Sequence, residues 1–324
     1  MKKKLLLFVV LLLVSSMFFV GCAEDTAPEN GDDNGNGEEE VAEPVEFTFL
    51  SNHEFFVRDD GLPGLQELYG FEFPDARITD TGITYTALAD GLVDAAMGFA
   101  TDGRIAAFDL VNLVDDKQYF PVYNPAPVIR KDTLDANPEI ADVLNAVAVK
   151  IETAMMTQMN YDVDIAGDEP SEVALAWLSS QGFVSEMPDN GTKGPVVVGS
   201  KEFTEQLVLG QIAIIALRDA GFNVVDQTGL GGTLICADAV ASGDIDMYWE
   251  YTGTGWITIL GHDDPITDSE EAYNKVKEQY LEDLDQVWLD YAPFDNTYTV
   301  MMRQSQADDL GIVTLSDLAD YINQ

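Results

Sequence analysis

Strand-like and helix-like stretches alternate along the chain from Val45 to Gln324, and this restricts the fold more than any other feature of the sequence. The series opens with VEFTFL (45–50), helical GLPGLQELYG (61–70), helical TYTALADGL (84–92) and VDAAMGF (93–99). It resumes with VVVGS (196–200), helical EFTEQLVLGQIAIIALRDAG (202–221), VVDQTG (224–229), helical GTLICADAVASG (232–243) and DIDMYWEY (244–251). Such alternation predicts an α/β protein with mostly parallel sheets, whose ligands bind beyond the carboxyl ends of the strands. Three helical segments in a row, 138–148, 150–159 and 169–181, separate two strand-rich parts. Between those parts MPDNGTKGP (187–195) reads as a loop and an apparent boundary.

Ahead of this region, Lys2, Lys3 and Lys4 precede an apolar run from Leu5 to Val20, and Gly21-Cys22 follows. A membrane-spanning helix needs about 20 apolar residues, so the shorter run predicts a secretory signal. Residues 1–22 read as a lipoprotein signal peptide with Cys22 as the lipidated residue, although Phe19 stands where such signals prefer Leu. Residues 23–44 contain nine acidic residues, no basic ones and almost nothing to bury, which predicts a disordered tether. The expected location is extracytoplasmic, with the folded part held at the cell membrane by a lipid.

The net charge of −42, from 58 acidic and 16 basic residues, argues against nucleic acid as a partner, because phosphate binding needs a basic footprint. Self-repulsion of this size is screened in salt, so the expectation is a saline habitat, with an ordinary acidic secreted protein as the alternative. With Cys22 assigned to lipid, Cys236 is alone and no disulfide is expected; it lies in an apolar helical pattern and reads as a small buried hydrophobe. The two histidines, His53 and His262, sit in neither a metal-spacing cluster nor a nucleophile motif. The pairs Asp59-Asp60, Asp115-Asp116 and Asp263-Asp264 lack the ligand spacing of a calcium loop. GLGGT (229–233) lacks the Gly-Lys-Ser/Thr of a phosphate loop and reads as a tight strand-to-helix turn. Neither catalysis, a metal nor a cofactor is expected.

Two groups of motifs carry a resemblance. GSKEFTEQLVLGQ (199–211), QTGLGGT (227–233) and DMYWEYTGTGW (246–256) resemble the start of the glycine betaine/choline-binding proteins of ABC transporters. EFFVRDDGLPGL (54–65), ATDGRI (100–105), LVDDKQYFPVYNPAPVIRKD (113–132) and MNYDVD (159–164) resemble the end of the same proteins. In this chain the order is inverted, each motif occurs once, and the total length is one domain. The resemblance implies a two-lobed periplasmic-binding-protein fold of type II, circularly permuted, with a two-strand hinge. One lobe would be 127–298, with the permutation linker at 187–195. The other would be 45–122 plus 304–324, and the hinge would be 123–127 and 298–304. Permutation is tolerated where chain ends meet at the surface. A monomer is expected rather than a lobe-swapped dimer.

The resemblance also implies a ligand. A quaternary ammonium has no N–H to donate, but aromatic faces attract it by roughly 0.5–2 kcal/mol each. The matching cage residues are Tyr251 in EYTGT, Tyr298 in NTYTV, Phe99 before ATDG and Tyr123 in FPVY. The alternative for each is an aromatic core residue. A betaine carboxylate needs charge-assisted donors, for which Lys201 after VVVGS and Arg58 in VRDDG are the candidates, with Thr254 adding a hydroxyl. The alternative for each cation is a surface charge or an ion pair with a neighbouring acid. Helix N-termini after GSK and GLGG would add backbone N–H groups. Glycine betaine is the expected ligand, with choline, carnitine and proline betaine as alternatives. An ABC permease is the expected partner, reading the closed form of the two lobes. The rival class is a cell-surface interaction module that has kept the fold and lost transport.

Overall fold

The computed structural model describes residues 46–324. Cys22, the signal stretch and the acidic segment before Val45 lie outside the described residues. The strands are β1 (Thr48–Ser51), β2 (Asp75–Ile78), β3 (Ala95–Phe99), β4 (Leu110–Asn112), β5 (Pro125–Arg130), β6 (Lys193–Lys201), β7 (Phe222–Gly231), β8 (Met247–Tyr251), β9 (Gln286–Trp288) and β10 (Tyr298–Arg303). They form two five-stranded sheets, ordered β2-β1-β3-β10-β4 and β7-β6-β8-β5-β9.

The two sheets share one plan. β1 pairs in parallel with β2 and β3, while β10 is antiparallel to β3 and β4. In the second sheet β6 pairs in parallel with β7 and β8, while β5 is antiparallel to β8 and β9. Both sheets are therefore mixed: four strands run one way, and the fifth enters against them from the other lobe. These entry strands move both expected crossovers, and residues 125–127 of the expected hinge 123–127 already belong to β5. Tyr298–Arg303, read from the sequence as hinge, is a central strand of the first sheet with five consecutive buried residues. The chain crosses between the sheets over 113–124 and 289–297. The expected loop 187–195 is also shorter, because β6 begins at Lys193.

The first lobe packs Phe49, Phe55, Leu65 and Phe73 against Leu315 and Leu318 from the far end of the sequence. Phe49 and Phe73 stack with centroids 4.2 Å apart. The helix Leu315–Ile322 starts at a capping box, in which the Thr314 hydroxyl accepts from the Asp317 N–H at 3.0 Å and the Asp317 carboxylate accepts from the Thr314 N–H at 2.8 Å. Its apolar face brings Tyr321 edge-on to Phe47 at 6.0 Å, beside the start of β1.

In the second lobe the helix Thr204–Asp219 is apolar nearly all round and is accordingly buried on more than one side. Leu209, Ile212 and Ile215 meet Trp177 and Trp249, while Ala213, Ile214 and Leu217 meet Val196, Val198 and Phe222. Each fully buried Leu or Ile there contributes about 1.5–3 kcal/mol relative to exposure. Cys236 is a free, buried cysteine on the helix Thr233–Ser242.

Candidate functional site

A cavity of about 780 Å³ opens between the two lobes, and residues from both line it. Strand ends supply most of its aromatic surface. Phe99 ends β3 and Tyr298 begins β10, and the two are direct partners across the antiparallel pair, so both rings stand on one face. Their centroids are 5.4 Å apart at 29°. Tyr123, on the first crossing, meets Tyr298 edge-to-face at 5.4 Å and 75°. Tyr251 ends β8 and is paired with Pro125 of β5. Gly253 follows where a Cβ would lie 2.9 Å from both the Val122 carbonyl oxygen and the Tyr123 ring, so a side chain there would push the EYTGT turn off the crossing.

The structure thus brings Tyr251, Tyr298, Tyr123 and Phe99 to one cavity, together with Lys201, Arg58 and Thr254. It adds one ring that the sequence reading missed. Phe203 stacks on Phe99 at 5.1 Å and 13°, and lies 6.2 Å from Tyr251 at 24°. A signal was present, since Phe203 follows Lys201 by two residues and is the N-cap of the helix beginning at Thr204. That places it at the carboxyl end of a sheet strand, where α/β folds bind ligands.

Tyr251 is held from behind. Its hydroxyl donates to Glu205 Oε1 at 2.8 Å, and Asn296 Nδ2 donates to the same oxygen at 2.8 Å. Glu205 Oε2 accepts from the Thr101 hydroxyl at 2.5 Å and from Asn160 Nδ2 at 3.1 Å. Burial raises the Glu205 carboxyl above its ordinary range, with these four donors opposing the shift. The donors come from the first lobe, the second crossing and the second lobe, so one buried carboxylate ties all three together. No sequence pattern pointed to Glu205, because an acid in the first turn of a helix reads as dipole complementarity.

The cations of the cavity are already paired. Lys201 Nζ lies 2.6 Å from Glu250 Oε1, and both side chains are buried. Glu250 also accepts from the Tyr248 hydroxyl at 3.0 Å and the Tyr251 N–H at 2.8 Å. Arg58 forks onto Asp60, with Nε at 2.7 Å from Oδ1 and Nη2 at 2.5 Å from Oδ2. Its remaining contacts are Glu54 Oε2 at 3.4 Å and the Thr254 hydroxyl at 3.4 Å. Burial opposes the charge on Arg58, but the Tyr298 and Asp60 oxygens hold its pKa well above the ordinary value. The Tyr123 hydroxyl donates to Asp60 Oδ2 at 2.7 Å, coupling the ring to the same pair. Arg104 completes the set through Asp102 and, across the lobes, Asp164 at 3.1 Å. Lys201 and Arg58 therefore reach the cavity as expected, but as members of internal ion pairs rather than as cations free to hold a ligand carboxylate.

A further cross-lobe contact involves Glu54. Its Oε1 accepts from the Thr233 N–H at 2.6 Å and its Oε2 from the Thr233 hydroxyl at 3.1 Å, so the first lobe caps a helix of the second. Burial pushes the Glu54 carboxyl up, but Lys201, Arg58 and the Thr233 donors outweigh it and leave the pKa lowered.

The family described as "Substrate binding domain of ABC-type glycine betaine transport system" matches residues 37–180 and 194–324. The chain belongs to this family. Among curated relatives it is 41% identical to a glycine-betaine-binding protein of Pseudomonas aeruginosa over 144 residues, which are 44% of this chain and 46% of that protein. It is 35% identical over 124 residues to the carnitine transport binding protein OpuCC of Listeria monocytogenes, covering 38% and 40% of the two chains. A chemotactic signal transduction substrate-binding protein, CosB of Halobacterium salinarum, is 32% identical over 131 residues, covering 40% and 39%. The matched part spans less than half the length of each of these relatives. Among solved structures, a glycine betaine/carnitine/choline ABC transporter protein aligns over 42% of this chain and 50% of that one, with 34% identity and a TM-score of 0.34. Apo YehZ from Escherichia coli aligns over 87% and 92%, with 14% identity and a TM-score of 0.35. Among the described residues, no helix is long and apolar enough to cross a membrane.

Proposed function

We propose that this chain captures a quaternary-ammonium compatible solute of the glycine betaine class outside the cytoplasm and presents it to an ABC permease by closing two lobes over it. The observation that carries the reading is the contiguous aromatic set, Phe99, Phe203, Tyr251, Tyr123 and Tyr298, in one interlobe cavity. Ring faces are what a trimethylammonium group needs, because it offers no hydrogen-bond donor. Family membership supports the transport role. Lys201 and Arg58 line the same cavity within ion pairs to Glu250 and Asp60, so the reading rests first on the aromatic set. A lipid on Cys22 would hold the protein at the membrane; palmitate labelling that survives Cys22→Ser would refute that part.

The test is thermal unfolding with glycine betaine, choline, carnitine and proline betaine, against glucose and leucine. At a hundredfold excess over Kd, a true ligand adds about 2.7 kcal/mol of stability. Absence of any shift with all four quaternary-ammonium compounds overturns the proposal.

We also propose that the chain is a circular permutation of its family's order. The family match in two blocks, separated at 181–193, supports this, as does the packing of Leu315 and Leu318 against Phe49. Reconnecting the blocks as 194–324 followed by 46–186 should give a folded monomer with unchanged ligand affinity. A reordered chain that fails to fold, or that binds nothing the original binds, argues against it.

A further inference from the structure

Four acidic side chains are buried among the described residues: Asp60, Asp102, Glu205 and Glu250. Three hold a cation, Asp60 with Arg58, Asp102 with Arg104 and Glu250 with Lys201. Glu205 has no such partner among the described residues. Its four donors, the Tyr251 and Thr101 hydroxyls and the Asn296 and Asn160 amides, are all neutral. The backbone of Thr101 fixes both amides with their nitrogens toward Glu205. Its N–H donates to Asn296 Oδ1 at 3.5 Å, and its carbonyl accepts from Asn160 Nδ2 at 3.0 Å. Each carboxylate oxygen therefore receives one N–H and one hydroxyl, an acceptor load that suits the ionised form. A buried charge is ordinarily paired, because hydrogen bonds alone do not restore what desolvation takes away. Burial accordingly raises the Glu205 carboxyl above its ordinary range.

The Tyr251 side chain connects this carboxylate to the cavity. Its hydroxyl lies 2.8 Å from Glu205 Oε1, and its ring lines the cavity wall. A phenol that donates to a carboxylate gains electron density on its ring, and its negative face is strengthened. Lys201 Nζ, 5.2 Å from the same ring, brings the opposite charge, but Glu250 takes it up. We propose that Glu205 is a positioning residue for the ligand's cationic end: it supplies the counter-charge of the quaternary ammonium, and the Tyr251 phenol carries that charge's effect into the cavity. The inference rests on the function proposed above. A carboxylate that only braced Tyr251 would act through shape, so its loss would weaken a cation and a neutral group of the same shape by one factor.

Calorimetric titration, with competition for the weaker member, compares two matched pairs: glycine betaine with 3,3-dimethylbutanoate, and choline with 3,3-dimethylbutan-1-ol. In each pair a carbon replaces the charged nitrogen and the shape is kept. The wild-type chain should prefer the cation by about tenfold or more. Glu205→Gln should remove about fivefold of that preference while moving the carbon counterpart by less than about twofold. Tyr251→Phe keeps the ring and loses the phenol O–H, so it should shift the preference the same way by about threefold. That variant decides even if Glu205→Gln does not fold. An unchanged preference in either variant overturns the inference and leaves the proposed function standing. Equal losses for cation and counterpart overturn it too, as the signature of a brace. Failure of both cations to bind the wild type removes the inference together with the function it rests on.

Discussion

Two sets of side chains share the interlobe cavity and are satisfied in opposite ways. The rings of Phe99, Phe203, Tyr251 and Tyr298 pack on one another, yet packing does not exhaust a ring face, which keeps its negative quadrupole available to a cation. The charges of Lys201, Arg58 and Arg104 are each taken up by carboxylates of the chain. The aromatic set has no charge of its own to satisfy, although Lys201 lies 5.2 Å from the Tyr251 ring and Arg58 5.6 Å from the Tyr298 ring, while the ionic set first serves the fold. Truncating a ring should cost affinity, and truncating a charge should cost stability.

The largest effect that can break this contrast is Lys201→Ala. It leaves Glu250 buried and uncompensated, a loss of about 3–5 kcal/mol, visible as a lower denaturant midpoint. An unchanged midpoint would mean that Lys201 belongs with the ligand rather than the fold. Next come Tyr251→Ala and Tyr298→Ala, each expected to weaken trimethylammonium binding by about tenfold or more, because each removes a ring worth on the order of 1–2 kcal/mol. Phe99→Tyr should bind normally. Unchanged affinity in both alanine variants would make the rings core residues only. Phe203→Ala should cost less, about threefold, if its main part is to hold the Phe99 face; calorimetry against Phe99→Ala separates the two.

The smallest effects are in pH. The Glu54 carboxyl is lowered from 4.5, so its stabilising contribution is present above that pH and is lost as pH falls through the folded value. Glu205 is raised from 4.5, so its contribution is present below that pH and fades as pH rises through the folded value. Glu54→Gln should flatten the acid side of the stability profile, and Glu205→Gln the side above it. Unfolding curves across pH 3 to 8, with the two variants shifting in the same direction, would contradict this assignment.

The same contrast explains what could be read from the sequence. Tyr251, Tyr298 and Phe99 lie in short motifs at strand ends and Tyr123 on the crossing just before β5, and local chain geometry carries their rings to the cavity. The partners of the cations were not legible. Asp60 is two residues from Arg58, but Glu250 is 49 residues from Lys201, and Glu54 reaches Thr233 across 179 residues. Only the meeting of two lobes shows that these charges cancel. The mixed sheets were hidden for a related reason: β5 and β10 look like any other strand, and their reversed direction follows from which lobe the chain arrives from.

The pairing of β10 with β3, buttressed by a contact from Arg303, also sets an order of events during synthesis. Arg303, at the end of β10, donates to the Leu88 carbonyl, a contact 215 residues apart in the sequence. At about 5–20 residues per second, a strand that far downstream emerges roughly 10–40 s later. During that interval β3, with Ala95, Ala96 and Met97 fully buried in the finished protein, has no neighbour on one side. β5 to β9, by contrast, are contiguous in the chain and can complete their sheet in the meantime. A chain synthesised from its amino end therefore carries an open apolar edge until the last strand arrives, and a stall before Tyr298 would leave that edge to the next copy of the chain.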